Sequence, residues 1–156
     1  MQIWEDDAVN LDSHDLMILR ELQRDGRESY AELSKKTGIP SSTLHDKVKR
    51  LMASGVIEKF TIIVDDDKAG YNNIAIIGVE TGARQYREVA AKLCELPEVV
   101  EVYGTTAEFD LMIKVRSRSR DDLSNILGRI RTIEGVDDIY VSSILEVFKE
   151  EHGLPI

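Results

Sequence analysis

Residues 30–52, YAELSKKTGIPSSTLHDKVKRLM, constrain the fold more than any other stretch, because they specify two short helices around a tight turn. Leu33 and Ile39 frame a turn at Gly38, where glycine enters a left-handed conformation without steric cost. Leu44, Val48 and Leu51 then recur at i, i+4 and i+7, one face of a helix. Away from that face lie short hydrogen-bonding and cationic side chains, the kinds that read base edges and hold phosphates. The candidate DNA-binding residues are Ser41, Ser42, Thr43, His45, Asp46, Lys47, Lys49 and Arg50. The pattern predicts a helix-turn-helix with residues 42–51 as its recognition helix.

A net charge of −9 opposes that reading at first, since nucleic-acid binders carry an excess of Lys and Arg. The charge is unevenly spread. Residues 1–64 hold 9 basic and 11 acidic side chains, and residues 65–156 hold 11 and 18, so −2 and −7 make up the total. Between 35 and 50, Lys35, Lys36, Lys47, Lys49 and Arg50 face one acid, Asp46. The positive field is local, and a single copy attracts DNA weakly, which calls for at least a dimer.

The flanking sequence predicts two domains, a helix-turn-helix at 1–64 and a second domain at 65–156. Asp12 caps a helix through Leu16, Ile18, Leu19 and Leu22, with Asp15 in its first turn, where the helix dipole favours negative charge. Asp25-Gly26 ends it. After Ser54-Gly55, VIEKFTIIVD suits an extended strand, giving a winged or strand-tailed domain. Polar residues 65–70 mark the boundary. A strand at 73–80, a helix at 85–96 stopped by Pro97, strands VVEVYGT and DLMIKVR, a helix at 120–133 capped by Ser119, and a long strand, VDDIYVSSILEVFKE, follow. The order βαββαβ is the ferredoxin-like fold, and the fold class is α+β. Its sheet has helices on one face, so dimerisation through the other is expected.

Together these features resemble the Lrp/AsnC family, the feast/famine transcriptional regulators of bacteria and archaea, over about residues 11–149. The matching segments are LDSHDLMILRELQRDGR, AELSKKTGIPSSTLHDKVKRL, SGVIEKFTIIVD, LPEVVEVYGTTAEFDLMIKV and IEGVDDIYVSSILEV. The resemblance implies a DNA-binding domain joined to one that dimerises, assembles dimers into larger rings and senses an amino acid or related small metabolite. It places base reading among Ser42, Thr43, His45, Asp46 and Lys47, and phosphate contacts at Lys49 and Arg50. It implies an effector site at Thr105, Thr106, Ala107, Glu108, Phe109 and Asp110, where the family often has Thr-Gly-x-aromatic-Asp. Ala107 replaces that glycine, and would strain the loop if a positive φ were required there. Glu108 favours a cationic or amine-bearing ligand. Two further departures are Pro40-Ser41, where the family commonly has Ser-Pro, and Asp46, where it often has a base. Asp46 is expected either to accept from cytosine or to pair with Lys49 or Arg50.

Other classes fare worse. Catalytic proteins of this architecture, resembling sirohaem decarboxylases, would need His and Arg in a C-terminal pocket, yet residues 72–149 contain no His. A metabolite-binding module without DNA reading is the third alternative. His14, His45 and His152 lack ligand spacing, so neither a metal nor a cofactor is expected. One cysteine, an acidic N-terminus unlike a signal peptide and no membrane-length apolar run predict a cytoplasmic protein away from membranes. Trp4 is expected to be an arm or inter-subunit anchor, and an exposed tail residue is equally compatible.

Overall fold

The computed structural model describes residues 9–156, and Trp4 lies outside them. Contacts divide the chain into two compact units: residues up to Ile63 together with Glu151–Ile156, and Val64–Glu150.

The first unit holds α1 (Ser13–Arg24), α2 (Tyr30–Thr37) and α3 (Ser41–Ala53). Each start has a local cause. Asp12 and Asp15 form a reciprocal capping box: the Asp15 N–H donates to Asp12 Oδ1 at 2.8 Å, and the Asp12 N–H donates to Asp15 Oδ2 at 3.0 Å. Ser29 caps α2 by accepting from the Glu32 N–H at 3.2 Å, and Gly38 closes it at φ 73°. Pro40 occupies the N-cap of α3 and supplies no side-chain acceptor, so the first amides of that helix lack a side-chain cap. Ile18, Leu33, Leu44, Val48 and Leu51 are buried at the centre, as the periodicity predicts. Two features escape the sequence pattern. Ile156 packs on this core, and Leu154 exchanges backbone hydrogen bonds with the Gln23 amide. Residues 56–64 form no sheet ladder, so the expected strand and wing are not formed among the described residues. A strand needs a partner for its backbone groups, and here Ile62 and Ile63 remain about three-quarters exposed, at 75% and 76%.

The second unit comprises β1 (Asn73–Thr81), α4 (Tyr86–Cys94), β2 (Val99–Gly104), β3 (Leu111–Ser117), α5 (Arg120–Arg131) and β4 (Val136–Ser143). The strands form one antiparallel sheet in the order β2-β3-β1-β4, the ferredoxin-like arrangement. Alternation sorts the side chains: Ala75, Ile77, Val79, Leu111, Ile113 and Val115 face the helices and meet Val89 and Leu93 of α4 and Ile126 and Ile130 of α5. On the open face Lys114 pairs with Glu150 and lies 3.8 Å from Glu101, while Arg116 meets Asp66 at 2.7 Å. Several bounds differ from the sequence reading: α4 ends at Cys94 rather than 96, α5 at Arg131 rather than 133, and β4 at Ser143 rather than 150. Beyond it one further bond joins the sheet, from the Ile144 N–H to the Ile74 carbonyl. No helix among the described residues is long and apolar enough to cross a membrane.

Candidate nucleic-acid interface and effector loop

On α3, Ser41, Ser42, Thr43, His45, Asp46, Lys49 and Arg50 are exposed. Lys47 is placed otherwise. Its side chain turns to α1, where Nζ lies 2.6 Å from Asp12 Oδ2 and 3.0 Å from Asp15 Oδ1, leaving it 15% exposed. This departs from the base-reading position that the family resemblance implies. Arg50 donates to the other Asp15 oxygen. Asp46 is not the partner of Lys49 or Arg50. Its nearest side-chain neighbour of this kind is His45, with Nδ1 3.7 Å from Oδ1, beyond hydrogen-bond distance.

Asp15 is therefore the centre of a clamp. It is fully buried, and both its oxygens receive charged donors from α3 as well as the α1 cap. Burial pushes its carboxyl up, but hydrogen bonds from Lys47, the Asp12 amide and Arg50 outweigh this and hold it below the ordinary carboxylate range. The Lys47 ammonium, helped by the Asp15 amide, pulls Asp12 down from 3.8 to about 2. Two further cations are also engaged: Lys35 with Glu32 at 2.7 Å, and Lys36 with Glu28 at 2.5 Å. Among the described residues, Lys49 is the one cation of the five between 35 and 50 that forms no ion pair.

In the second unit, the loop 105–110 is tied at both ends. The Thr105 N–H donates to the Asp110 carbonyl at 3.0 Å, and the Thr105 hydroxyl donates to the Phe109 carbonyl. Asp110 Oδ2 accepts from the Thr81 N–H at 2.8 Å and the Thr81 hydroxyl at 3.2 Å, so its carboxylate holds the end of β1. Thr106, Ala107 and Glu108 are exposed at the tip. The strain expected at Ala107 does not arise, because no described non-glycine residue has positive φ. Phe109 lies across the sheet on Gly78, where an added Cβ would sit 2.5 Å from the ring, and its centroid is 4.9 Å from that of Tyr140. The charges of Glu80 and Asp138, then burial and Glu108, push the Tyr140 hydroxyl up. Three carboxylates thus act on the Tyr140 end of the aromatic pair. Asp15, Gly78 and Tyr140 carry these arrangements, and sequence periodicity did not single out the last two.

The fold and the exposed helix define a two-part regulator, with a helix-turn-helix DNA-binding unit and a ferredoxin-like unit. Residues 11–58 match the winged helix-turn-helix DNA-binding family, and residues 74–154 match the Lrp/AsnC ligand binding domain. The chain is 43% identical over 146 residues to the HTH-type transcriptional regulator FL11 of Pyrococcus furiosus, covering 94% of this chain and 97% of that protein. Its Pyrococcus horikoshii counterpart is 42% identical over 148 residues, covering 95% and 98%. Among solved structures, Escherichia coli AsnC is similar with a TM-score of 0.86 and 32% identity, over 92% of this chain and 97% of that one. A Neisseria meningitidis transcriptional regulator in complex with L-Met gives 0.88 and 27%, over 94% and 97%. The chain belongs to the Lrp/AsnC family, and it is a sequence-specific DNA-binding transcriptional regulator rather than an enzyme.

The clamp makes a stability prediction with a definite sign. Both carboxyls have lowered folded-state values, so their contribution is present above the unfolded value of 3.8 and is lost as pH falls toward about 2. Urea unfolding of the wild type should weaken over that window. Asp15→Asn should cost about 1.5–3 kcal/mol at neutral pH and flatten the acid loss. A variant as stable as wild type, with an unchanged acid profile, contradicts the clamp.

Proposed function

We propose that α3 reads bases through Ser42, Thr43, His45 and Asp46, with Ser41, Lys49 and Arg50 touching the phosphate backbone. Lys47 serves the same surface indirectly, by holding α3 against α1. The observation that carries this is the division of labour on α3. Leu44, Val48 and Leu51 are buried and Lys47 is engaged with α1, while Ser42, Thr43 and Lys49 have no bonded side-chain role among the described residues. The uncapped first turn of α3 carries no acidic residue, so its free amides favour an approaching phosphate.

The protein acts as a homodimer at least, because its open sheet face and the unladdered residues 56–64 both call for a partner surface. Two-fold symmetry then predicts a partly palindromic DNA site. The loop Thr105, Thr106, Ala107, Glu108, Phe109 and Asp110 is the effector-responsive element. Neighbours from N. meningitidis and Mycobacterium tuberculosis were solved with L-methionine, which supports an amino-acid ligand. Glu108, Glu80 and Asp138 around Tyr140 favour one with a cationic side chain. Asp110 orders the loop through Thr81 instead of meeting the ligand.

Replacing Lys49 with Ala should weaken preferred and random duplexes alike. Thr43→Ala should instead reduce the preference between them, by about 1 kcal/mol. Fluorescence anisotropy on both duplexes distinguishes the two, and equal losses everywhere for Thr43→Ala would remove it from the reading set.

Titration calorimetry with lysine, arginine, methionine and glutamate tests the effector reading. Lysine or arginine should bind, and Glu108→Gln should weaken them. Binding of glutamate alone rules out the charge argument.

A further inference from the structure

Tyr30 opens α2, yet two of its neighbours belong to α3. The Ser41 hydroxyl donates to the Tyr30 carbonyl at 3.3 Å. Its ring meets the His45 imidazole in a T-shaped contact, with centroids 5.6 Å apart and planes at 71°. That geometry is the favoured one for aromatic pairs, in which a positive ring edge meets a negative face. His45 is otherwise loosely held. Its side chain is 61% exposed, and Asp46 stands 3.7 Å from Nδ1. Among the described residues no protein group hydrogen-bonds its Nε2. An exposed imidazole without a neighbour samples several rotamers, and a base contact must then freeze one of them.

We propose that Tyr30 is a positioning residue for DNA sequence reading: its ring holds the His45 imidazole in one rotamer, so that a ring nitrogen is presented ready for a base edge. Tyr30 does not itself select the base. It lowers the ordering cost that His45 would otherwise incur on binding, and it does so from a helix outside the recognition helix. The inference rests on α3 being the DNA-reading element, and a tight reader gains most from side chains already in their bound conformation. The hydroxyl has no part in this contact, so phenylalanine should replace tyrosine without loss. Leucine, which keeps apolar bulk without an aromatic ring, should not.

The test uses the full chain and two probes: a duplex selected by the wild-type protein from a random-sequence pool, and a scrambled duplex of the same length. Tyr30→Phe should keep the wild-type ratio of affinities. Tyr30→Leu should lower that ratio about 3- to 10-fold, the range expected for leaving one side chain to be ordered on binding. His45→Ala should lower it at least as far, and Tyr30→Leu in the His45→Ala background should lower it no further. Matching thermal melts would exclude unfolding as the cause. Additive losses, or an unchanged ratio for Tyr30→Leu, would overturn the proposal. Equal weakening of both duplexes by Tyr30→Phe would also overturn it, making the hydroxyl a phosphate contact. If His45→Ala alone leaves the ratio unchanged, the failure lies in the reading assigned to His45 rather than in the ring contact.

Discussion

A buried carboxylate must be neutralised by its neighbours, and in the N-terminal unit that requirement falls on Asp15. The residue caps its own helix through Asp12 and receives Lys47 and Arg50 from α3. Leaving it unpaired would bury an uncompensated charge, which is strongly destabilising. The apolar core of Ile18, Leu33, Leu44, Val48 and Leu51 brings the helices together without setting their rotation, because dispersion and hydrophobic burial are weakly directional. Charged hydrogen bonds are directional. Two of them from α3 to one carboxylate on α1 fix which face of α3 points outward.

That arrangement changes the electrostatics of the DNA reader. Cations clustered in sequence suggested an island of free positive charge. In the fold, Lys35, Lys36, Lys47 and Arg50 each face a carboxylate, so most of the charge is compensated before DNA arrives. Discrimination then depends more on hydrogen bonding and side-chain order than on field strength. The second unit follows a similar logic: Asp110 spends its carboxylate on Thr81, and Phe109 depends on the missing side chain of Gly78. The exposed tip of the 105–110 loop is small because its ends are structural.

Much of this was legible from local signals. Helix periods, Asp12 and Ser119 as caps, Gly38 as a stop and the alternating strands predicted the elements and their order. The misses share a physical origin in long-range partners. The expected strand at 56–64 has no ladder within one chain, and β4 stops where its pairing with β1 ends at the start of that strand. Lys47 looked solvent-facing because an amphipathic wheel does not know that a neighbouring helix offers carboxylates. Likewise the Tyr30–His45 contact joins residues fifteen apart, across a turn whose geometry no single-helix pattern encodes.

The salt dependence of DNA affinity tests the compensated reader most directly. With Lys49 unpaired among the described residues and the half-exposed Arg50 shared between Asp15 and the phosphate backbone, each subunit neutralises one or two phosphates. For the dimer, log K against log salt should then slope at about −2 to −4. If all five cations between 35 and 50 were free to meet phosphate, the slope would approach about −9. A value near the shallow figure supports an Asp15-centred reader that relies on ordered side chains, and a value near the steep one contradicts it.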